Sequence, residues 1–146
     1  MLKRYTFWFS AAAVLQLITG LIHSVSLFVG AEPANDSERQ LQALLTTYRF
    51  DAGAGFHPTY ENLFTALSSC FTFLCIFAAL SNGYLLRKHV GTDVMKGLIA
   101  INLVIFGGVF AVMAYLTFLP PIICSGLIFV SLIAAFILVP KIETAV

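Results

Sequence analysis

His23, His57 and Glu61 are the side chains of this sequence whose types and spacing suit a binding site. Imidazole with carboxylate suits zinc or another transition metal, and paired imidazoles can ligate haem iron. His57 and Glu61 stand i, i+4, so one helical turn would present both on a common face. The plainer role of each is structural. His23 suits a neutral, hydrogen-bonded packing residue. Glu61 suits the first turn of a helix, where the backbone dipole favours an acid. Pro58 moreover interrupts the backbone where the i, i+4 relation needs regular helix. The three residues therefore stand as candidates for a ligand pocket, with no catalytic residue, metal ligand or cofactor assigned.

Other chemistry lacks its motif. The cysteines Cys70, Cys75 and Cys124 form no CxxC pair, which argues against a zinc ribbon and a thioredoxin-type redox centre. Cys in an apolar run behaves as a small packing residue. The chain holds no GxSxG elbow, no HExxH and no Gly-rich phosphate loop. The net charge of +1 gives no reason to expect nucleic acid as a partner.

The elements that must carry these residues follow from composition. Of 146 residues, 60% are hydrophobic and 10% charged, with a mean hydropathy of +0.94. A soluble domain is about 45–50% apolar and about 25% charged. So much apolar surface cannot be hidden in a chain this short. The bilayer is the expected partner, crossed by spans at about 5–29, 60–86, 97–118 and 121–139, each near the roughly 20 residues a crossing needs. The fold class expected is all-α, a single-domain membrane four-helix bundle. Lys3-Arg4 ahead of the first span also fits the outline of a signal peptide, but the apolar run exceeds the roughly 7–15 residues of such a segment.

Residues 30–59 form the polar connection between the first two spans. Ser37 or Asp36 is expected to cap a short amphipathic helix, in which Leu41, Leu44, Leu45 and Tyr48 share one face. That face suits a helix lying flat over the bundle mouth or at the membrane interface. Gly53, Gly55 and Pro58 then turn the chain back. Pro120-Pro121 marks the tight turn into the last span. Lys3, Arg4, Arg87, Lys88, Lys96 and Lys141 fall on one side of the spans; the long first loop on the other side holds Arg39 and Arg49 against the acids Glu32, Asp36, Glu38, Asp51 and Glu61. The positive-inside rule then puts both termini in the cytoplasm.

Helices in lipid associate through small residues and buried hydrogen bonds. Gln16, Thr19, Gly20 and His23 form one stripe; Glu61, Thr65, Ser68, Thr72, Cys75 and Ala79 form another. Both are expected to face inward. The third span offers Ala100, Gly107, Gly108, Ala111 and Ala114, the fourth Ser125, Gly126, Ser131, Ala134 and Ala135. Asn102 is expected to bond across to another helix. No Asp, Glu, Lys or Arg lies mid-span, which weakens a proton-coupled transporter reading.

Gly20-Leu-Ile-His23, the Phe50 to Gly55-Phe56 loop, the polar second span and the hairpin from Tyr115 through Pro120-Pro121 to Ser125 resemble a family of small, largely uncharacterised bacterial four-span membrane proteins. The resemblance implies the four-helix fold and a bacterial inner membrane; it implies no activity. The leading expectation is a non-enzymatic accessory subunit or small homo-oligomer. A ligand-, metal- or haem-binding protein using a pocket near His23 comes second, and a small transporter third.

Overall fold

The computed structural model describes residues 4–29 and 32–140. Lys3, Lys141 and the Gly30-Ala31 step lie outside them. The chain folds into α1 (Tyr5–Ser26), α2 (Asp36–Thr47), α3 (Tyr60–Arg87), α4 (Thr92–Leu116) and α5 (Leu119–Leu138). Four of the five, all but α2, are long and apolar enough to cross a membrane. Among the described residues no strand forms; Arg49 and Thr59 make an isolated antiparallel bridge.

Helix ends depart from the hydropathic boundaries for local reasons. α1 stops at Ser26, not Val29, because the hydroxyls of Ser24 and Ser26 donate to the Gly20 and His23 carbonyls (2.9 and 2.7 Å). Such back-bonding competes with the helix, and the chain leaves through i, i+3 bonds at Leu27 and Phe28. α4 begins at Thr92 rather than Gly97: Asp93 occupies its first turn, where an acid is favoured. Hydropathy marks the apolar part of a helix, and a polar first turn lies outside that mark. Asn35, not Ser37 or Asp36, caps α2, its side chain accepting from the Glu38 amide at 2.9 Å. Glu38 answers by accepting from the Ala34 amide and the Asn35 side chain. At α3, Thr59 and Asn62 form a reciprocal capping box.

The connection from α3 to α4 is residues 88–91, and that from α4 to α5 is 117–118, so both pairs are antiparallel hairpins. Around the bundle, α3 packs on α1, α1 on α5, and α5 on α4, while α3 and α4 make no comparable backbone approach. The bundle is therefore closed on three seams and thin on the fourth.

Close packing depends on glycine at two seams. A Cβ on Gly20 would meet Cys75 Cβ and Ile76 Cγ1 at 3.2 Å and the Thr72 carbonyl oxygen at 3.3 Å, so α1 and α3 touch there almost backbone to backbone. Between α4 and α5, the Phe129 ring lies over Gly107 and the Phe110 ring over Gly126. The two rings also stack, with centroids 5.7 Å apart. Phe9, Ile99, Ile128 and Leu132 fill the centre.

The inward stripes hold in part. Gln16, Gly20, Thr72, Cys75 and Ala79 are buried, but Glu61 and Thr65 are exposed, because the first turns of α3 rise beyond the helices that would cover them. On α4, Gly108, Ala111 and Ala114 face outward, and Ile99, Asn102 and Phe106 face the core instead.

Candidate functional site

Two polar features lie within the apolar bundle. The first is a ring of three amides, one each from α1, α3 and α4. Asn82 Nδ2 donates to Gln16 Oε1 and to Asn102 Oδ1, both at 2.9 Å. Gln16 Nε2 donates to Asn102 Oδ1 at 3.2 Å. Asn102 Nδ2 donates to Asn82 Oδ1 at 3.2 Å and to the Leu98 carbonyl at 3.0 Å. All three side chains are buried. Every amide oxygen accepts and every amide nitrogen donates within the ring, the pairing that an apolar interior favours. It ties α3 to α4 where their packing is thinnest. Asn102 thus bonds across to two helices. Asn82 is a partner that the pattern of stripes does not single out; its signal is an amide among apolar residues near the end of a long span.

The second feature is a cavity of about 500 Å³ that begins about one helical turn from the ring, at Thr19 and Phe106, and extends to the α4–α5 turn. Thr19, Ile22, His23 and Ser26 of α1 form one wall, and Phe106, Val109 and Met113 of α4 another. Cys124, Ser125 and Ile128 of α5 form a third, and Phe118 and Pro120-Pro121 the rim. From α3 only Phe71 contributes, its ring edge-on to His23 with centroids 5.2 Å apart. The α1–α3 and α1–α5 seams are closed lower down by Gly20 and by the core residues.

The polar groups of the wall are mostly occupied. Ser26, Thr117 and Ser125 each donate a hydroxyl to a carbonyl of their own segment, at 2.7 Å. His23 Nε2, by contrast, is buried and has no hydrogen-bond partner. An imidazole nitrogen left so costs about 1–3 kcal/mol relative to a satisfied one; the Thr72 hydroxyl, away from the cavity, is likewise buried without a partner. With α1 ending at Ser26, His23 falls in the last helical turn, about 5 Å from the helix end at 1.5 Å rise per residue, shallower than a span to Val29 would place it.

His57 and Glu61 do not join it. α3 begins at Tyr60, after the cap at Thr59, so His57 lies in the loop and the i, i+4 relation with Glu61 does not apply. Both are exposed and neither lines the cavity. The His57 carbonyl accepts from Arg49 at 3.0 Å, which fixes the loop. Among the described residues no three His, Cys, Asp or Glu side chains gather closely enough to hold a metal ion. The arrangement can do one thing chemically: hold an apolar body and hydrogen-bond its polar end.

No protein-family model, no curated protein and no solved structure matches the chain.

Proposed function

We propose that this is a multi-pass protein of a bacterial inner membrane that binds a lipophilic molecule in the cavity at His23. The observation that carries the reading is the unpartnered, buried His23 Nε2 on the wall of an otherwise apolar cavity of about 500 Å³. Ligand sites are commonly about 300–1,000 Å³, mostly apolar, with few polar groups that fix orientation. The cavity has that size and that composition.

The placement in the membrane is supported by the four long apolar helices and by charge. Arg4, Arg87, Lys88 and Lys96 lie with Asp93 at the end where α1 and α4 begin and α3 stops; Glu32, Asp36, Glu38, Asp51 and Glu61 belong to the other end, with Arg39 and Arg49. The positive-inside rule favours the first end in the cytoplasm and the cavity toward the outer face. The bacterial inner membrane is what the sequence resemblance implies.

A test is mass spectrometry of the organic extract from gently solubilised protein. A lipophile enriched over bulk lipid in the native protein and lost in His23→Leu is expected. Identical extracts from the two proteins would count against binding at this cavity.

A second reading, an accessory subunit or small homo-oligomer, is favoured by the outward-facing Gly108, Ala111 and Ala114 on α4, since small residues allow helices of different chains to approach. The mass of the gently solubilised particle tests it, a bare monomer counting against.

A further inference from the structure

We infer that the ligand of the His23 cavity is an electrically neutral lipophile carrying a single hydroxyl or carbonyl head. The inference rests on the reading of that cavity as a binding site and adds its chemical class. It comes from what the wall offers and what it withholds. The helices around the cavity carry Asp, Glu, Lys or Arg only near their ends, at Glu61, Arg87, Asp93 and Lys96, and α1 and α5 carry none. None of these four lines the cavity.

A carboxylate, phosphate or ammonium head inside would therefore meet no opposite fixed charge. Burying an unpaired charge is far more costly than burying a hydroxyl or carbonyl that finds one hydrogen bond. A phosphate would need several donors at once; the hydroxyls of Ser26, Thr117 and Ser125 are already donated to backbone carbonyls. His23 Nε2 is the buried polar atom of this wall without a partner. A neutral imidazole nitrogen either donates or accepts, so one hydroxyl or one carbonyl satisfies it. Beyond His23 the wall is mostly apolar: Phe71, Phe106, Val109, Met113 and Ile128 suit a hydrocarbon body, and Thr19, one turn below His23 on α1, brings one further hydroxyl to it.

The experiment compares a matched trio, dodecanol, dodecanoate and dodecylamine, each radiolabelled, binding to the full chain in lipid nanodiscs with empty nanodiscs subtracted. Dodecanol is expected to bind at least about tenfold tighter than either charged analogue at neutral pH, a gap equal to one hydrogen-bonded head against an unpaired charge. His23→Leu should weaken dodecanol by about fivefold, the size of one neutral hydrogen bond. His23→Gln should keep most of the affinity, and His57→Leu, outside the cavity, should leave it unchanged. Dodecanoate or dodecylamine binding as tightly as dodecanol, with sensitivity to His23→Leu, would overturn the neutral class while leaving the cavity a binding site. Binding of none of the three, or binding indifferent to His23→Leu, would overturn both.

Discussion

Asn102, Asn82 and Gln16 do with hydrogen bonds what apolar packing cannot do in lipid, where surrounding tails are as greasy as the core. Replacing Asn102 by Leu removes the acceptor of two bonds and the donor of two more, leaving Gln16 Nε2 and Asn82 Oδ1 buried without that partner. Unfolding of N102L in detergent should show a loss of about 1–2 kcal/mol, above the roughly 0.6 kcal/mol typical of one interhelical bond. A stability equal to that of the native chain would mean the ring contributes nothing. Asn102 was legible in the sequence as a crossing amide because nothing else in its span can satisfy it. Asn82 was not, since an amide near the end of a span suits the interface equally well. His23 was legible as a residue but not as an unpartnered one, because a sequence does not say which neighbour fails to arrive. His57 and Glu61 paired only on the assumption of continuous helix through Pro58, and the backbone there is extended, bridged to Arg49.

Among the helices, Gly20 on α1 faces the backbone of α3 itself, at the Thr72 carbonyl oxygen. Gly20→Ala would gain about 0.5–1 kcal/mol of helix propensity and lose a similar amount against atoms 3.2–3.3 Å from its Cβ, so it should be nearly neutral. Gly20→Leu has no such offset: its branch must displace Cys75, Ile76 or the α3 backbone itself. A loss of about 1–3 kcal/mol is expected from overpacking, read as earlier thermal unfolding in detergent. An unchanged midpoint would contradict backbone-close packing of α1 on α3. The existence and order of the helices were legible because long apolar runs leave one solution in a bilayer. Their ends were not, because caps at Asn35, Gly91 and Phe118 belong to polar or turn chemistry that hydropathy does not weigh. Nor was the order of contacts around the bundle. Of the small residues Ala100, Gly107, Gly108, Ala111 and Ala114 expected to let α4 approach its neighbours, Gly107 does so under Phe129, while Gly108, Ala111 and Ala114 face outward and the helix turns Ile99, Asn102 and Phe106 inward.

Taken together, the bundle is locked by Gln16, Asn82 and Asn102 and opens toward the α4–α5 turn, where His23 lines the cavity. The proposed orientation, with the basic end in the cytoplasm, puts α2 outside. Gln40 on α2 is exposed, so a cysteine placed there should react with a membrane-impermeant thiol reagent from the outside of intact cells; labelling only after the cytoplasmic face is opened would reverse the orientation. The leucines of α2 support the same picture, since Leu41 and Leu44 are more than half exposed to whatever medium lies against the bundle, and an interface accepts them more readily than water. The decisive measurement is an experimental structure of the chain carried from its membrane in lipid, without detergent washing. Density filling the cavity and reaching within hydrogen-bond distance of His23 Nε2 is expected. A cavity collapsed around Phe71 and Met113, with His23 bonded to a side chain of its own bundle, would contradict the binding function.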